Sequence, residues 1–531
     1  MMLTGIVVAT TLQSAGANSA TWDESLYLYL GRHAAITHDY EAFAALGVAP
    51  LPVRAIWTPR VLQPIRAEPA APAVFRQRVD RARRNAIAWF AVPLVLAILL
   101  MVSHARGVAA GTVAGLLIAL SPNVIAHASL ATTDVAFSFT FIVSIAAMIV
   151  YLRRRSWPAA LALAAALGLA LATKYSAIAL YLILAATLAM RWRERRWSRD
   201  FAAVIGSLLF AWSLHGWQSA PLFTPNGLAA SVLPTMLGWT GHAPAIVSWL
   251  ANLPAPIFLR GIAAQAFLER AGQEAFLLGA VSQHGWWYYF PVALAMKSTA
   301  IELAAVVAFV ALAWRRKLRD HETQVVVTTV VIFGLLALMG RRDLGVRYVL
   351  PLVILVVVAA TAWLSDFLSG QKWAPASCAA ALSMQAFSML AIAPQQLAYF
   401  NVFAGGPERG YTRLVDSNLD WGQDLLRLRE WVTSHPEAEV GLAYFGSAPL
   451  AAYGVQPVDW RSLLASKSGR RKLFVISATY LQGIFLCGDP FAQLRGITPS
   501  ARIGYTMMAY DVGQDEVRRA LAISATDGCA P

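Results

Sequence analysis

Leu120–Arg155 reads LSPNVIAHASLATTDVAFSFTFIVSIAAMIVYLRRR, and its second half decides the fold. From Asp134 to Leu152 the side chains are mostly apolar, and the run ends on Arg153, Arg154 and Arg155. Roughly 20 such residues cross a bilayer, so this is a spanning helix. Its arginine-rich exit is the mark of a cytoplasmic end. Ser121-Pro122 closes the apolar run before it, so Asp134 opens the span on the opposite side.

The rest of the 531-residue chain has the same character. Hydrophobic residues make up 58% and charged residues 14%, with a mean hydropathy of +0.55. Soluble proteins carry about a quarter charged residues, which excludes an ordinary soluble enzyme. The apolar content equally excludes a disordered chain. Ten candidate spans follow from the same criterion: 86–103, 108–126, 134–152, 157–172, 175–190, 201–217, 288–314, 324–339, 347–363 and 374–392. Met1–Thr11 is apolar but short of a span and lacks a basic leading region. It reads as the outer end of a first helix, a doubtful eleventh.

Orientation follows from the arginines. Arg153–Arg155, Arg191–Arg199 and Arg315–Arg319 form three clusters, each two spans from the next. They share one side, read as cytoplasmic. They also account for the net charge of +14 without invoking nucleic acid. The loops 21–85 and 218–287 and everything after Pro394 then face outside. Arg76, Arg78, Arg81, Arg83 and Arg84 run against this rule, as do Arg341, Arg342 and Arg347. Anionic lipid phosphate is their natural expected partner.

After Pro394 the composition turns polar. EVGLAYFG and KLFVISA alternate like strands, and DLLRLREWV has an amphipathic helical pattern. The expected architecture is a multi-span α-helical membrane protein of about 10–11 transmembrane helices. It comprises a membrane unit over residues 1–393 and a small extracytoplasmic α/β domain over 394–531. Cys487 and Cys529 both fall in that domain, where a bridge between them competes with two free thiols. No internal repeat of the kind seen in inverted-repeat transporters is present.

Several charged residues sit at span boundaries, where charge is costly unless paired. Asp23-Glu24 follows an apolar segment. The two acids are a general base or a metal ligand, or else the first turn of an interfacial helix. Asp134 is a helix cap or a site, with Thr132 and Thr133 already available as caps. His127 is a ligand or, more commonly, a packing residue. Lys174, Lys297 and Arg347 are phosphate-binding cations or snorkelling side chains. Asp416, Asn418, Asp420 and Trp421, in DSNLDWGQDL, close over a substrate or cap the helix that follows. No GxxxxGK[ST], HExxH, GxSxG or strand-linked GxGxxG is present, which argues against nucleotide-driven chemistry.

As an ordered set these residues resemble the polyprenyl-phosphate-sugar-dependent glycosyltransferases of the GT-C fold. More closely, they look like bacterial members of glycosyltransferase family 39, related to protein O-mannosyltransferases and to the aminoarabinose transferase that modifies lipid A. The resemblance rests on Asp23-Glu24, APLPVRAIW, LSPNVIAHASLATTD, LALATKYSA, GWWYYFPVALAMKST, GVRYVLP and YFNVFAGGPERGYTRLVDSNLDWGQDLLRL. It departs in having Pro50-Leu51-Pro52 for the usual double proline and in lacking a lumenal β-trefoil domain.

The resemblance implies a multi-pass protein of the bacterial cytoplasmic (inner) membrane. It would transfer a hexosyl or pentosyl group, mannosyltransferase-like, from a polyprenyl-phosphate carrier to a lipid, glycan or protein hydroxyl at the outer face. Asp23 would be the catalytic base. Asp134, with Glu24, would orient the acceptor or hold a divalent metal, Mg or Mn. Arg54, Lys174, Lys297, Arg347 and Tyr348 would hold the carrier phosphate and sugar, with Asp416 and Asp420 beside them. No nucleotide cofactor is implied. A transporter or flippase of lipid-linked sugars shares the many spans and arginines but needs no base at Asp23.

Overall fold

A computed structural model describes residues 2–57, 72–221 and 253–526. Parts of both long outer loops and Cys529 lie outside the described residues. The chain is mainly helical, as its apolar runs dictate: a helix satisfies every backbone group internally, which lipid demands.

Fewer helices are full-length spans than the ten expected. Among the described residues four helices are long and apolar enough to cross a membrane: Ala73–Arg106, Asp134–Arg154, His321–Met339 and Leu350–Leu368. Val108–Ala119 and Pro122–Ala128 make a fifth if taken as one element, bent by 67°. Other expected spans are shorter or broken helices. Hydropathy sees a continuous apolar run where the backbone is interrupted. The run 288–314 is split into Tyr289–Lys297 and Ala300–Arg316, because Thr299 and Glu302 form a capping box that starts a new helix. The bend after Ala119 falls at Ser121-Pro122, where the Ser121 side chain caps the following helix.

Asp134–Arg154 lies innermost among these spans, with 67% of its apolar window buried. Its lower end meets the other arginine clusters. Arg153 pairs with Glu322 at 3.0 Å, Arg191 Nε donates to Gln324 at 2.8 Å, and Arg199 donates to the Arg155 carbonyl. The three clusters therefore share one end of the bundle, as their spacing predicts.

The segment after Pro394 first runs as short turns, then forms the helix Leu425–Thr433 and a four-stranded sheet. Ala438–Ala443 pairs parallel with Arg471–Ser477, which pairs antiparallel with Met507–Asp511 and, beyond it, Ala501–Ile503. The first two strands and the helix are those read from the alternating and amphipathic patterns. Cys487 is disulfide-bonded and Cys378 is free.

Candidate active site

The site begins where the helix Trp22–Thr37 begins. Thr21 is its extended N-cap, and Glu24, at the third helical position, closes a capping box. Glu24 Oε2 accepts the Thr21 N–H at 2.8 Å, and Oε1 accepts the Ala131 N–H at 2.8 Å. Arg83 embraces the same carboxylate, with Nε and Nη2 at 2.8 and 2.7 Å. Arg83 also donates to the carbonyls of Ala15, Asn18 and Ser19. Both side chains are buried. Arg83 was expected to meet lipid phosphate; its partner is Glu24, and its charge is neutralised inside the protein.

Asp23 is one position earlier and faces a different way, since successive helical residues are about 100° apart. Its Oδ2 lies 2.6 Å from Arg347 Nη1. The same nitrogen is 3.7 Å from Asp134 Oδ2, and Asp134 Oδ1 receives Lys174 Nζ at 2.7 Å. Four charges of alternating sign, Asp23–Arg347–Asp134–Lys174, thus form a chain built from four separate elements. Each acid sits in the first turn of its helix, where the dipole favours a carboxylate. Thr133, not Asp134, is the N-cap of its helix, so the structure shows Asp134 as a member of the charged chain and not as a cap.

Aromatic rings hold the cations in register. Arg347 lies 4.1 Å from the Trp421 ring and 5.3 Å from that of Tyr348. Lys174 lies 5.0 Å from Tyr348 and 5.9 Å from Phe137. Tyr27, one turn after Asp23, is buried with Asp23, Asp134 and Arg347 as charged neighbours. Its i, i+4 spacing from Asp23 is a signal that a closer reading of the sequence would have caught. Asp416 is buried in the left-handed region, φ 53°, where aspartate is one of the tolerated residues. Burial pushes its carboxyl up to about 7, against the opposing pull of Arg347.

Lys174 and Tyr348 also line a cavity of about 410 Å³ whose walls include Phe290, Phe333 and Arg342. The charged chain therefore abuts an apolar chamber.

The remaining expected site residues do not join this chain of charges. Lys297 is buried and donates to the Leu397 and Asn418 carbonyls at 2.8 and 2.6 Å, so its ammonium links two segments of backbone. Arg54 is exposed and stacks over Tyr40 at 5.5 Å. Asp420 Oδ2 accepts the Thr479 N–H at 2.9 Å, while Oδ1 is buried without a partner; burial pushes this carboxyl up to about 7. His127 is buried edge-on to Trp421 at 6.4 Å. The helix Leu425–Thr433 has Asp424 at its N-cap position, without a side-chain capping bond, so none of Asp416, Asn418, Asp420 and Trp421 serves as its N-cap.

The residues around Asp134 do not fit a divalent ion. Lys174 and Arg347 already flank its carboxylate. Among the described residues no group of three or more His, Cys, Asp or Glu side chains converges. Two cations at this distance would repel a third.

Residues 73–215, which carry Asp134 and Lys174, match the family model of dolichyl-phosphate-mannose-protein mannosyltransferases. Among solved structures, the chain is similar to ArnT from Cupriavidus metallidurans bound to undecaprenyl phosphate, at 15% identity over 96% of this chain and 97% of that one, with a TM-score of 0.32. The apo form of the same protein gives 16% identity over 96% of each chain and a TM-score of 0.32. No curated protein matches the chain.

Proposed function

We propose that the protein transfers a sugar from a polyprenyl-phosphate carrier to a hydroxyl acceptor. The observation that carries this reading is the Asp23–Arg347–Asp134–Lys174 chain at the wall of an apolar cavity. A lone catalytic acid needs no neighbouring phosphate-sized cation pair, and a simple lipid site needs no acid beside its cations. A polyprenyl-phosphate sugar asks for all three: an apolar slot for the isoprene units, cations for the phosphate, and a base for the acceptor.

In this reaction the acceptor oxygen attacks the anomeric carbon and its proton passes to Asp23. The bond from that carbon to the phosphate oxygen breaks, and the electron pair leaves with the carrier phosphate. Arg347 and Lys174 bind that phosphate and stabilise the charge it gains as it departs. Asp134 holds both cations apart and aligned, and Tyr348 lies beside each of them. Direct displacement inverts the anomeric centre. In this reading the arginine-cluster end is cytoplasmic, and the site opens at the outer face of the inner membrane.

The test uses purified protein with a panel of polyprenyl-phosphate sugars, read as carrier-phosphate release. Asp23→Asn is expected to lose about 10²–10⁴ in rate, the usual contribution of a general base. It should bind undecaprenyl phosphate at least as tightly as the wild type, because Arg347 is freed from its carboxylate partner. Full turnover by Asp23→Asn removes the base assignment. Movement of labelled lipid across vesicles without any carrier-phosphate release favours a transporter instead.

A further inference from the structure

The DSNLDWGQDL segment, residues 416–425, makes contacts that the proposed chemistry leaves unused. On one side it grips the backbone next to Arg347. Asn418 Oδ1 accepts the Val346 N–H at 3.0 Å, and Ser417 Oγ donates to the Leu344 carbonyl. Between these two, Gly345 adopts φ 134°, and a Cβ there would meet Ser417 Oγ at 2.5 Å. On the other side the segment grips the backbone next to Asp23. The Trp421 carbonyl accepts the Trp22 N–H at 3.0 Å, and the Gln423 carbonyl accepts the Ser19 N–H at 2.8 Å. Ser19 Oγ adds a bond to the Gly422 carbonyl at 3.0 Å.

The segment is itself rigid. Gln423 accepts the Trp421 N–H at 2.8 Å and donates to the Leu419 carbonyl at 2.6 Å. Lys297 anchors it through the Asn418 carbonyl at 2.6 Å, and Asn418 Nδ2 donates to the Tyr289 hydroxyl at 2.9 Å. Its one large buried ring, Trp421, lies under the Arg347 guanidinium at 4.1 Å.

We infer that Asn418 and Trp421 are positioning residues: they set the spacing between Asp23 and Arg347, and so between base and carrier phosphate. Asp23 and Arg347 are 324 positions apart and belong to elements that otherwise have no shared strand or helix to fix their distance. This segment is bonded to both. Trp421 acts twice, through its carbonyl on the Asp23 side and its ring on the Arg347 side. The inference rests on the function proposed above.

The experiment is a double-substitution cycle. Trp421→Leu is expected to weaken binding of undecaprenyl phosphate about 10-fold, the loss of one desolvated cation–π contact, and to raise the donor KM in parallel. Trp421→Phe, which keeps a ring, should stay within about 3-fold of wild type. In an Arg347→Ala background Trp421→Leu should have little further effect, because contacting residues couple and independent ones add. Asn418→Ala, a smaller change, should likewise lose its effect in that background. Losses that simply add, or unchanged binding by a folded Trp421→Leu protein, overturn the inference. If wild-type protein neither binds undecaprenyl phosphate nor releases it from a sugar donor, the proposed function fails. The same cycle read as melting temperature then still decides positioning: coupling of Trp421 with Arg347 supports it and additivity rejects it.

Discussion

Two adjacent acids, Asp23 and Glu24, look alike in sequence and differ in everything that matters. Glu24 is fully buried, paired with Arg83 and bonded to two backbone N–H groups. Removing one member of a buried pair typically costs about 3–5 kcal/mol, because the other charge is stranded. Glu24→Gln should therefore lower the melting temperature by several degrees, whereas Asp23→Asn should lower it less, because Arg347 keeps Asp134 at 3.7 Å, while costing about 10²–10⁴ in turnover. A thermal melt run beside the rate assay checks both, and equal melts for the two variants would contradict this division of roles. Asp420 offers a third readout. Burial raises its carboxyl to about 7, well above the unfolded value. The folded state then holds the proton more tightly, so stability contributed at low pH is lost as pH climbs from about 4 through about 7. Melting temperature should fall between about pH 4 and about pH 7 and level off above that. Asp420→Asn keeps an acceptor for the Thr479 N–H and should flatten that fall; an unchanged slope would mean that the slope belongs to other groups.

At the scale of elements, the turn Val346–Tyr348 and the segment 416–425 meet so closely that one position has no room for a side chain. Gly345 sits there with φ 134°, a region that other residues rarely enter. Gly345→Ala combines backbone strain with the clash at Ser417, and the turn carrying Arg347 must shift to relieve it. The expected outcome is a donor KM raised by about 10-fold or more, since a small displacement from productive geometry is enough to lose that factor. Steady-state kinetics across a range of donor concentrations checks it, and a normal KM would show that the turn tolerates the added methyl. Some elements were readable in advance: the span after Asp134, the two strands and the helix Leu425–Thr433 all have clean periodicity. The break at Ser298-Thr299 was written in the sequence as a capping box, but the apolar run around it masks the signal.

At the scale of the whole molecule, the chain is a helical membrane body with a sheet-bearing segment woven into one end and arginine clusters gathered at the other. Single cysteines introduced near Arg193 and near Arg316 should resist an impermeant thiol reagent in intact cells, whereas one near Gly410 should react. The opposite pattern would invert the orientation and put the charged site on the cytoplasmic side. The arginines away from the three clusters show why composition alone misleads here. Arg83 and Arg347 both break the positive-inside pattern, and both are paired inside the protein, one with Glu24 and the other with Asp23.

By itself the sequence determined that this is a multi-span membrane protein. Apolar runs of bilayer length and arginines at alternate boundaries leave no other stable arrangement. It also singled out Asp23, Asp134, Lys174 and Arg347, since charge at a membrane boundary is costly and therefore conspicuous. Only the tertiary structure decided how they combine. It joined those four into one chain of charges, withdrew Glu24 into a buried pair with Arg83, and turned Lys297 toward backbone carbonyls. It also brought Trp421 beneath Arg347. The reason is physical: local sequence fixes what a residue costs to bury, whereas the partner that offsets the cost lies tens to hundreds of positions away and is chosen by packing.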